Sequence, residues 1–337
     1  MEPILQERLP YPLPDTRLPG IRPCSMDEWL CVDEAFAAQM ALRDRLIATR
    51  RDRVLAMNDG ARAAAHELLG VVVAQLRGHP GYRVGAVQVT RPDGVRVRLD
   101  ADAPLAVLGR LVQEDFCLLE KPGGQVRAPA SAAAAAEAAV GAGNGTGIGA
   151  GIGAGAGTAE DAAKARAGGK AKARARARAR AMAQTGPRTM GPQSGKEAAA
   201  GAGQGPGPGP SGAHVLSGAV LCFPASWSLA EKMNRPLGLI HAPVAQYDAL
   251  MARRVQRLLD AIRPGQPLWR ANANAQLTGD LFAPMTEAEA RRRKPVPPDA
   301  PYLRSERQCL VRLPRTGAVV FSIHTYMLER ASVGDQA

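Results

Sequence analysis

The sequence lacks the short cysteine and histidine motifs that build the common metal and redox centres. Its five histidines and five cysteines form no CxxC, HxxxH or HExxH pattern, so a zinc site is not expected. The cysteines are odd in number and widely separated, which favours a reducing compartment where they act as small buried apolar side chains. They are Cys24, Cys31, Cys117, Cys222 and Cys309.

Long apolar runs are also missing. No stretch of about 18 apolar residues occurs, so no transmembrane helix is expected. The first 15 residues have no apolar core and carry acidic side chains early, which is unlike a signal peptide. The expected location is therefore the cytoplasm, with an organelle left open.

Positive charge is concentrated in one low-complexity stretch. The formal net charge is +12, and residues 126–213 contribute +7 of it through eleven Lys/Arg against four Asp/Glu. Poly-Ala, Gly-Ala repeats, an Ala/Arg run and a Gly-Pro run fill this stretch, and such side chains cannot compensate the entropy of ordering. We expect a disordered, passive Ala/Gly/Arg-rich insertion. Without aromatic residues, its adsorption to nucleic acid or membrane would be weak and unspecific, so neither is an expected partner.

Outside the insertion, the hydrophobic pattern alternates between helical and strand periods. Apolar residues at three-and-four spacing predict helices over 25–47, 60–77, 104–119 and 248–262. Period-two alternation predicts a hairpin over 85–99 and a short strand or extended arm at 267–272. A Pro-Arg-Thr-Gly turn joins predicted strands 302–313 and 318–326 into a second hairpin, and an apolar run predicts a buried strand at 220–223. The expected fold class is α+β. One domain is formed by 23–125 and 214–327, after an extended segment 1–22 and before a tail 328–337.

Residues 220–247 carry the strongest sign of a functional site. A buried strand leads to Trp227 and a short helix, where the spacing of Ser228 and Glu231 predicts a capping box. His241 then stands alone in an apolar setting. It is either a core histidine bonded to backbone or an axial ligand of a metal or heme, because imidazole is the commonest metal ligand and a heme needs only one protein ligand.

Two other polar groups have open interpretations. Residues 113–115 (Gln-Glu-Asp) form an acidic group in the predicted helix 104–119, and this pattern is typical of a solvated face. Arg304, Glu306 and Gln308 share one face of a predicted strand. Three long polar side chains are costly to bury unless they are paired or functional. Glu306 therefore either forms a structural ion pair or orients a small cationic substrate.

Four long motifs together resemble the heme-bearing alpha subunit of heme-dependent oxidative N-demethylase and its relatives. They are LVQEDFCLL (111–119), LCFPASWSLAEKMNRPLGLIHAPV (221–244), PLWRAN (267–272) and LRSERQCLVRLPRTGAVVFSIHTY (303–326). The resemblance runs from about residue 21 to 326, outside the insertion. It implies a PAS-like fold, in which an antiparallel sheet flanked by helices holds a b-type heme (heme b) through a histidine.

The resemblance also assigns cofactor-binding residues. The His-x-Pro-Val motif of the family falls on His241, which becomes the expected axial ligand of the heme iron. The Trp-Arg-x-Asn motif falls on Trp269, Arg270 and Asn272. Together with Trp227, these three are the expected cofactor contacts.

The expected catalytic residues come from the Glu-Arg-Gln signature of the family. It falls on Glu306 and Arg307, and Arg304 precedes it. Glu306 is expected to hold an ammonium group or take its proton, while Arg304 or Arg307 sets the pKa and position of that carboxylate. The chain departs from the family at Ala273, where the family has Trp, and at His324, where it has Arg. The resemblance therefore leaves the size and polarity of the pocket open at these two positions.

The implied reaction is oxidation of an N-methyl group of a small amine with dioxygen and electrons, which releases formaldehyde. The chain has no glycine-rich dinucleotide motif before a suitable helix and no cysteine set for an iron–sulfur cluster. Electrons are therefore expected from a flavin or iron–sulfur reductase partner. Two alternatives stay open: a non-catalytic heme-binding sensor, and a scaffold of the same fold without heme.

Overall fold

A computed structural model describes residues 2–13, 20–122, 212–240 and 249–333. The helices are α1 (Phe36–Thr49), α2 (Arg51–Val54), α3 (Arg62–Leu76), α4 (Pro104–Leu111), α5 (Leu229–Lys232), α6 (Leu237–Ile240), α7 (Ala249–Ala261), α8 (Glu287–Arg292) and α9 (Arg330–Val333). The strands are β1 (Arg22–Pro23), β2 (Leu55–Met57), β3 (Arg83–Val84), β4 (Gln88–Thr90), β5 (Arg96–Arg98), β6 (Asp115–Glu120), β7 (Val215–Val220), β8 (Leu268–Gln276), β9 (Tyr302–Arg312) and β10 (Val319–Glu329). Helices and antiparallel strands are mixed along the chain, which confirms the expected α+β class.

Seven strands form one antiparallel sheet in the order β1-β8-β9-β10-β6-β7-β2, and β3, β4 and β5 form a small separate sheet. The longest pairing joins β9 to β10, from Arg312 opposite Val319 to Tyr302 opposite Glu329. The turn between these two strands contains Gly317 at φ 71°, a left-handed conformation that glycine adopts without steric cost. β6 pairs with both β10 and β7. The chain before residue 122 and the chain after residue 212 therefore contribute neighbouring strands to the same sheet.

Both faces of β6 are covered, and its side chains divide between two apolar clusters. Phe116 and Leu118 belong to the main core, with residues of α1, α3 and α4. Cys117 and Leu119 belong to a second cluster on the other face, which includes Leu259 of α7. Each fully buried apolar side chain of this size stabilises the fold by about 1.5–3 kcal/mol. The sheet is thus held between two apolar layers.

Helix α4 lies unusually close to its neighbours at Gly109. A Cβ at this position would be 2.5 Å from Cγ2 of Val220 and 2.8 Å from Cδ1 of Ile47, so a larger residue would force the elements apart. The same approach lets Arg43 of α1 donate from Nε to the carbonyl of Gly109 at 2.9 Å. The end of α4, and with it the start of β6, is fixed against α1.

Several predicted elements are confirmed. The helix predicted over 60–77 is α3, and the helix predicted over 248–262 is α7. The two predicted hairpins are present as β4–β5 and β9–β10. These elements have long or clearly alternating apolar patterns, and that is where periodicity is most informative.

The prediction of a helix over 104–119 is wrong in its second half. The helix ends at Leu111, and residues 115–120 form β6. A strand buried on both faces is apolar throughout, so its pattern does not separate it from a buried helix. The expectation of a solvated face at residues 113–115 is also wrong, because these three residues are at most 1 % exposed.

Two other predicted elements have different boundaries in the structure. The helix predicted over 25–47 begins only at Phe36, and the strand predicted over 220–223 ends at Val220. The second change has a clear cause in Asp115. Its Oδ1 and Oδ2 accept the backbone N–H groups of Cys222 and Phe223 at 2.7 and 2.8 Å. A side chain of the neighbouring strand thus takes the hydrogen bonds that a longer strand would have used.

Two predicted features lie outside the described residues, namely residues 126–211 of the insertion and the segment that carries His241. In the part of the chain that the structure does describe, no helix is both long and apolar enough to cross a membrane.

Candidate functional site

A carboxylate with three polar neighbours lies where β8 and β9 pair. Asn272 is directly opposite Glu306 in the register. On Oε1 the Glu306 carboxylate accepts from Arg304 Nε at 3.1 Å, and on Oε2 it accepts from Gln308 Nε2 at 3.0 Å and Asn272 Nδ2 at 3.3 Å. The amide oxygen of Asn272 also accepts the backbone N–H of Glu306 at 3.2 Å. Such charge-assisted bonds hold a carboxylate in one orientation.

Arg304 binds this carboxylate from the interior of the protein. Its side chain is buried, and its Nη atoms donate to the backbone carbonyls of Leu281 and Phe223. The side chain of Glu306 itself remains 15 % exposed. The arginine therefore lies inside the protein, while one edge of the carboxylate is accessible from outside.

Arg270 adds an incompletely paired cation to the same region. It lies opposite Gln308 in the register, and burial lowers the pKa of its guanidinium. Among the described residues, its buried Nε has no hydrogen-bond partner. Leaving such a group unpaired costs about 1–3 kcal/mol or more, a cost that an anionic ligand group would offset.

We refer to Arg270, Asn272, Arg304, Glu306 and Gln308 together as the Glu306 patch. An apolar surface continues from it on the same face of the sheet. Leu268, two residues before Arg270, and Ile323, opposite Gln308 in β10, both contact the second apolar cluster or belong to it. The patch therefore borders apolar side chains on the same face of the sheet.

The predicted axial ligand, His241, lies outside the described residues, but the chain leading to it does not. Ile240, the residue before it, packs against the second apolar cluster. The carbonyl of Ile240 accepts from Lys232 Nζ at 3.0 Å, and the same ammonium pairs with Glu287 at 2.9 Å. The end of α6 is thus held at the apolar cluster, and His241 follows it directly in the chain.

Trp227 also packs against this cluster, so it lies on the same side of the sheet as Arg270. The capping box predicted next to it is not formed. Ser228 Oγ donates to Glu231 Oε2 at 3.0 Å and makes no cap bond to the helix backbone. Glu231 instead accepts the backbone N–H of Glu287 at 2.9 Å, which ties α5 to α8.

Two predicted site residues, Trp269 and Arg307, lie on the opposite face of the sheet. Arg307 stacks with its Cζ 5.2 Å from the ring centroid of Trp269 and donates to the backbone carbonyl of Trp29 at 3.1 Å. The structure does not bring these two side chains together with the Glu306 patch. The arginine that pairs with Glu306 is Arg304.

A buried polar cluster on that opposite face was not foreseen. His324 Nε2 is 3.0 Å from Asp33 Oδ2, and His324 Nδ1 is 3.1 Å from Glu114 Oε1. Burial opposes a charge on this imidazole, but hydrogen bonds to Asp33 and Glu114 outweigh burial and raise its pKa to about 10. These residues come from distant segments, so spacing gave no signal. The sequence distinguishes His324 only as a departure from the arginine that the family has at this position.

Taken together, the fold and the site define an α+β protein whose antiparallel sheet carries charged and apolar groups side by side on one face. The face offers a partly exposed, oriented carboxylate, a buried arginine donor without a partner among the described residues, and apolar surface beside them.

The chain belongs to the family described as "Haem-dependent oxidative N-demethylase, alpha subunit-like". The family profile matches residues 20–138 and 204–337, and the resemblance read from the four motifs is thereby confirmed. A comparison with the curated proteins gives no match.

Proposed function

We propose that this protein is a heme-dependent oxidoreductase of the oxidative N-demethylase type. It would oxidise an N-methyl group of a small amine with dioxygen and with electrons from a flavin or iron–sulfur reductase partner. We also propose that residues 23–125 and 214–327 form one PAS-like heme-binding domain interrupted by the insertion 126–213. The observation that carries the proposal is the Glu306 patch, where Arg270 Nε lacks an acceptor among the described residues and an oriented carboxylate stays partly exposed.

The residues present fit a b-type heme. A porphyrin requires apolar contacts for its ring and polar or cationic donors for its propionates. The second apolar cluster with Trp227 would supply the first. The Nε of Arg270, which has no partner among the described residues, would supply the second, with Asn272 two residues further along the strand. His241 is the proposed axial ligand, because it follows Ile240 at the edge of this cluster. A bound heme would supply the redox chemistry that uses dioxygen.

Glu306 is the proposed binding group for the amine. An ionised carboxylate has about four acceptor positions, and three side-chain donors occupy Glu306 in the structure. Among the described residues, one acceptor position of the carboxylate is therefore left for an ammonium N–H. The oxygen that binds this N–H would also take the proton of the amine. Arg304 orients the carboxylate, while Arg307 acts at most indirectly, through the packing of Trp269 on the other face.

The change Glu306→Gln is expected to lower kcat/KM for an N-methylamine by roughly 10²–10⁴-fold, the usual contribution of a positioned acid or base. Heme loading should be unchanged, because the amide keeps the shape of the side chain. Turnover is followed as formaldehyde release with an added reductant. Glu329→Gln, at the exposed end of β10, is the matched control and should keep full activity. Equal kcat/KM in the two variants would remove Glu306 from the mechanism.

The change Arg270→Met is expected to weaken heme binding by roughly 10–100-fold, the value of one or two hydrogen bonds to a charged group. Hemin titration of the heme-free full chain measures this change. Arg83→Met, in an exposed position of the small sheet, should bind hemin like the unchanged protein. If Arg270→Met also binds like the unchanged protein, Arg270 does not contact a propionate.

An absorption spectrum tests the proposal as a whole. A Soret band that shifts on reduction and again with carbon monoxide, followed by turnover of an N-methylamine, is the expected result. A heme spectrum without turnover would favour a sensor. If the protein does not bind hemin at all, the remaining hypothesis is a scaffold of the same fold without heme.

A further inference from the structure

We propose that Cys31, Glu114 and His324 form a binding site for a divalent transition metal of the zinc type, on the face of the sheet opposite the Glu306 patch. One sulfur, one oxygen and one nitrogen of these residues lie within 4.8 Å of one another. Thiolate, carboxylate and imidazole are the three side-chain groups that bind zinc in proteins. This site is separate from the proposed heme site and does not depend on the proposed function.

The distances suit a tetrahedral ion. Zinc bonds at about 2.0–2.1 Å to nitrogen and oxygen and at about 2.3 Å to sulfur, which brings its ligands to about 3.3–3.7 Å from one another. His324 Nδ1 and Glu114 Oε1 are already 3.1 Å apart. To bring all three ligand atoms to bonding distance of one ion, the Cys31 sulfur is the atom that must move most. Cys31 is only partly buried, and it therefore offers an entry path for the ion.

A buried oxygen of Glu114 without a partner among the described residues supports a bound metal ion independently of these distances. Glu114 is 1 % exposed, and its Oε2 has no hydrogen-bond partner among the residues that the structure describes. Its other oxygen already accepts the backbone N–H of Cys31 at 2.7 Å, which holds the carboxylate beside the thiol. An isolated buried carboxylate oxygen is costly, and a metal ion would satisfy it.

The surroundings of His324 match those of a metal ligand. Asp33 Oδ2 lies 3.0 Å from Nε2, and a carboxylate bonded to one ring nitrogen leaves the other nitrogen free to coordinate a metal. Asp33 is itself held by the side chains of Gln113 and Gln6 at 2.8 and 2.9 Å. In the metal-free protein the imidazolium joins the two carboxylates, and a bound ion replaces the proton on Nδ1 and the proton of the thiol.

The ligands come from three distant segments, so the sequence could not reveal them. Cys31 precedes α1, Glu114 precedes β6, and His324 lies within β10. The absence of zinc spacing in the sequence excludes only sites built from one local segment.

Zinc titration of the full chain tests the site, with cysteine alkylation mapped by mass spectrometry as the second readout. We expect one equivalent of Zn²⁺ to bind and to protect Cys31 from alkylation. Cys24 is the internal control, because it is also partly buried and lies outside the cluster, and its alkylation should not change. Equal alkylation of Cys31 with and without one equivalent of Zn²⁺ would overturn the proposal and leave an imidazolium between two carboxylates.

Two variants separate coordination from folding. His324→Arg keeps a positive charge near Asp33 and Glu114 but removes the coordinating nitrogen, so the protection of Cys31 should disappear while the circular dichroism spectrum is unchanged. Asp33→Asn should weaken Zn²⁺ binding by roughly 10–100-fold, as expected for a group that orients a ligand. If His324→Arg binds Zn²⁺ as tightly as the unchanged protein, the assignment of His324 is wrong.

Discussion

Heme loading is expected to disappear when His241 is replaced by alanine. The proposed site offers apolar contacts and one arginine donor from the described residues, and these groups would contact a porphyrin without bonding its iron. In the proposed site His241 would hold the heme through its imidazole, the one protein ligand that such a group needs. The purified variant should therefore show no Soret band, and it should acquire none during hemin titration.

The matched control for His241→Ala is His79→Ala. His79 is partly exposed next to Tyr82, far in sequence from the motifs of the family, and its replacement should leave heme loading unchanged. Circular dichroism confirms that both variants fold. A His241→Ala variant with full heme and an unchanged spectrum would show that another residue bonds the iron, and His241 would then be the core histidine that its apolar sequence setting also allows.

Sequence patterns were informative where one short segment contains the whole signal. The strands β9 and β10 are each eleven residues long and are joined by a short turn that contains Pro-Arg-Thr-Gly. The pairing of Arg304 with Glu306 needs only that both lie on one face of β9. Helices α3 and α7 likewise contain several turns of one apolar face. Their existence could be predicted from periodicity alone, although their ends could not.

Sequence patterns failed where a residue is defined by partners far along the chain. Glu114 and His324 are 210 residues apart, and neither position shows from its neighbours that it is buried. Residues 113–115 look like a solvated acidic group, but they are buried and their side chains pair with Gln39, His324 and Arg43 respectively. Polar residues inside a core are stable only when distant groups pair with them, and no local pattern shows those groups.

Asp115 is the clearest case, and its replacement by asparagine is expected to lower the free energy of unfolding by about 3–5 kcal/mol, as for other broken buried ion pairs. Its Oδ1 is 2.7 Å from Arg43 Nη1, and both side chains are at most 1 % exposed. The same carboxylate accepts the backbone N–H groups of Cys222 and Phe223. An asparagine at this position leaves the charge of Arg43 without a counter-ion. It also puts an NH2 group, which is a donor, in place of one of the two oxygens that accept hydrogen bonds.

Urea unfolding measures the effect, with Asp260→Asn as the matched control. Asp260 also pairs with a cation, Lys121 at 2.7 Å, but both side chains are at least 40 % exposed, and such surface pairs contribute about 0–1 kcal/mol. Arg43→Met should cost a similar amount to Asp115→Asn, because it leaves the carboxylate unpaired instead. The loss in the double variant should be smaller than the sum of the two single losses, since both changes remove the same interaction. If Asp115→Asn unfolds at the same urea concentration as Asp260→Asn, the buried pair does not hold β6 to α1. The start of that strand is then fixed by other contacts, such as the bond from Arg43 Nε to the carbonyl of Gly109.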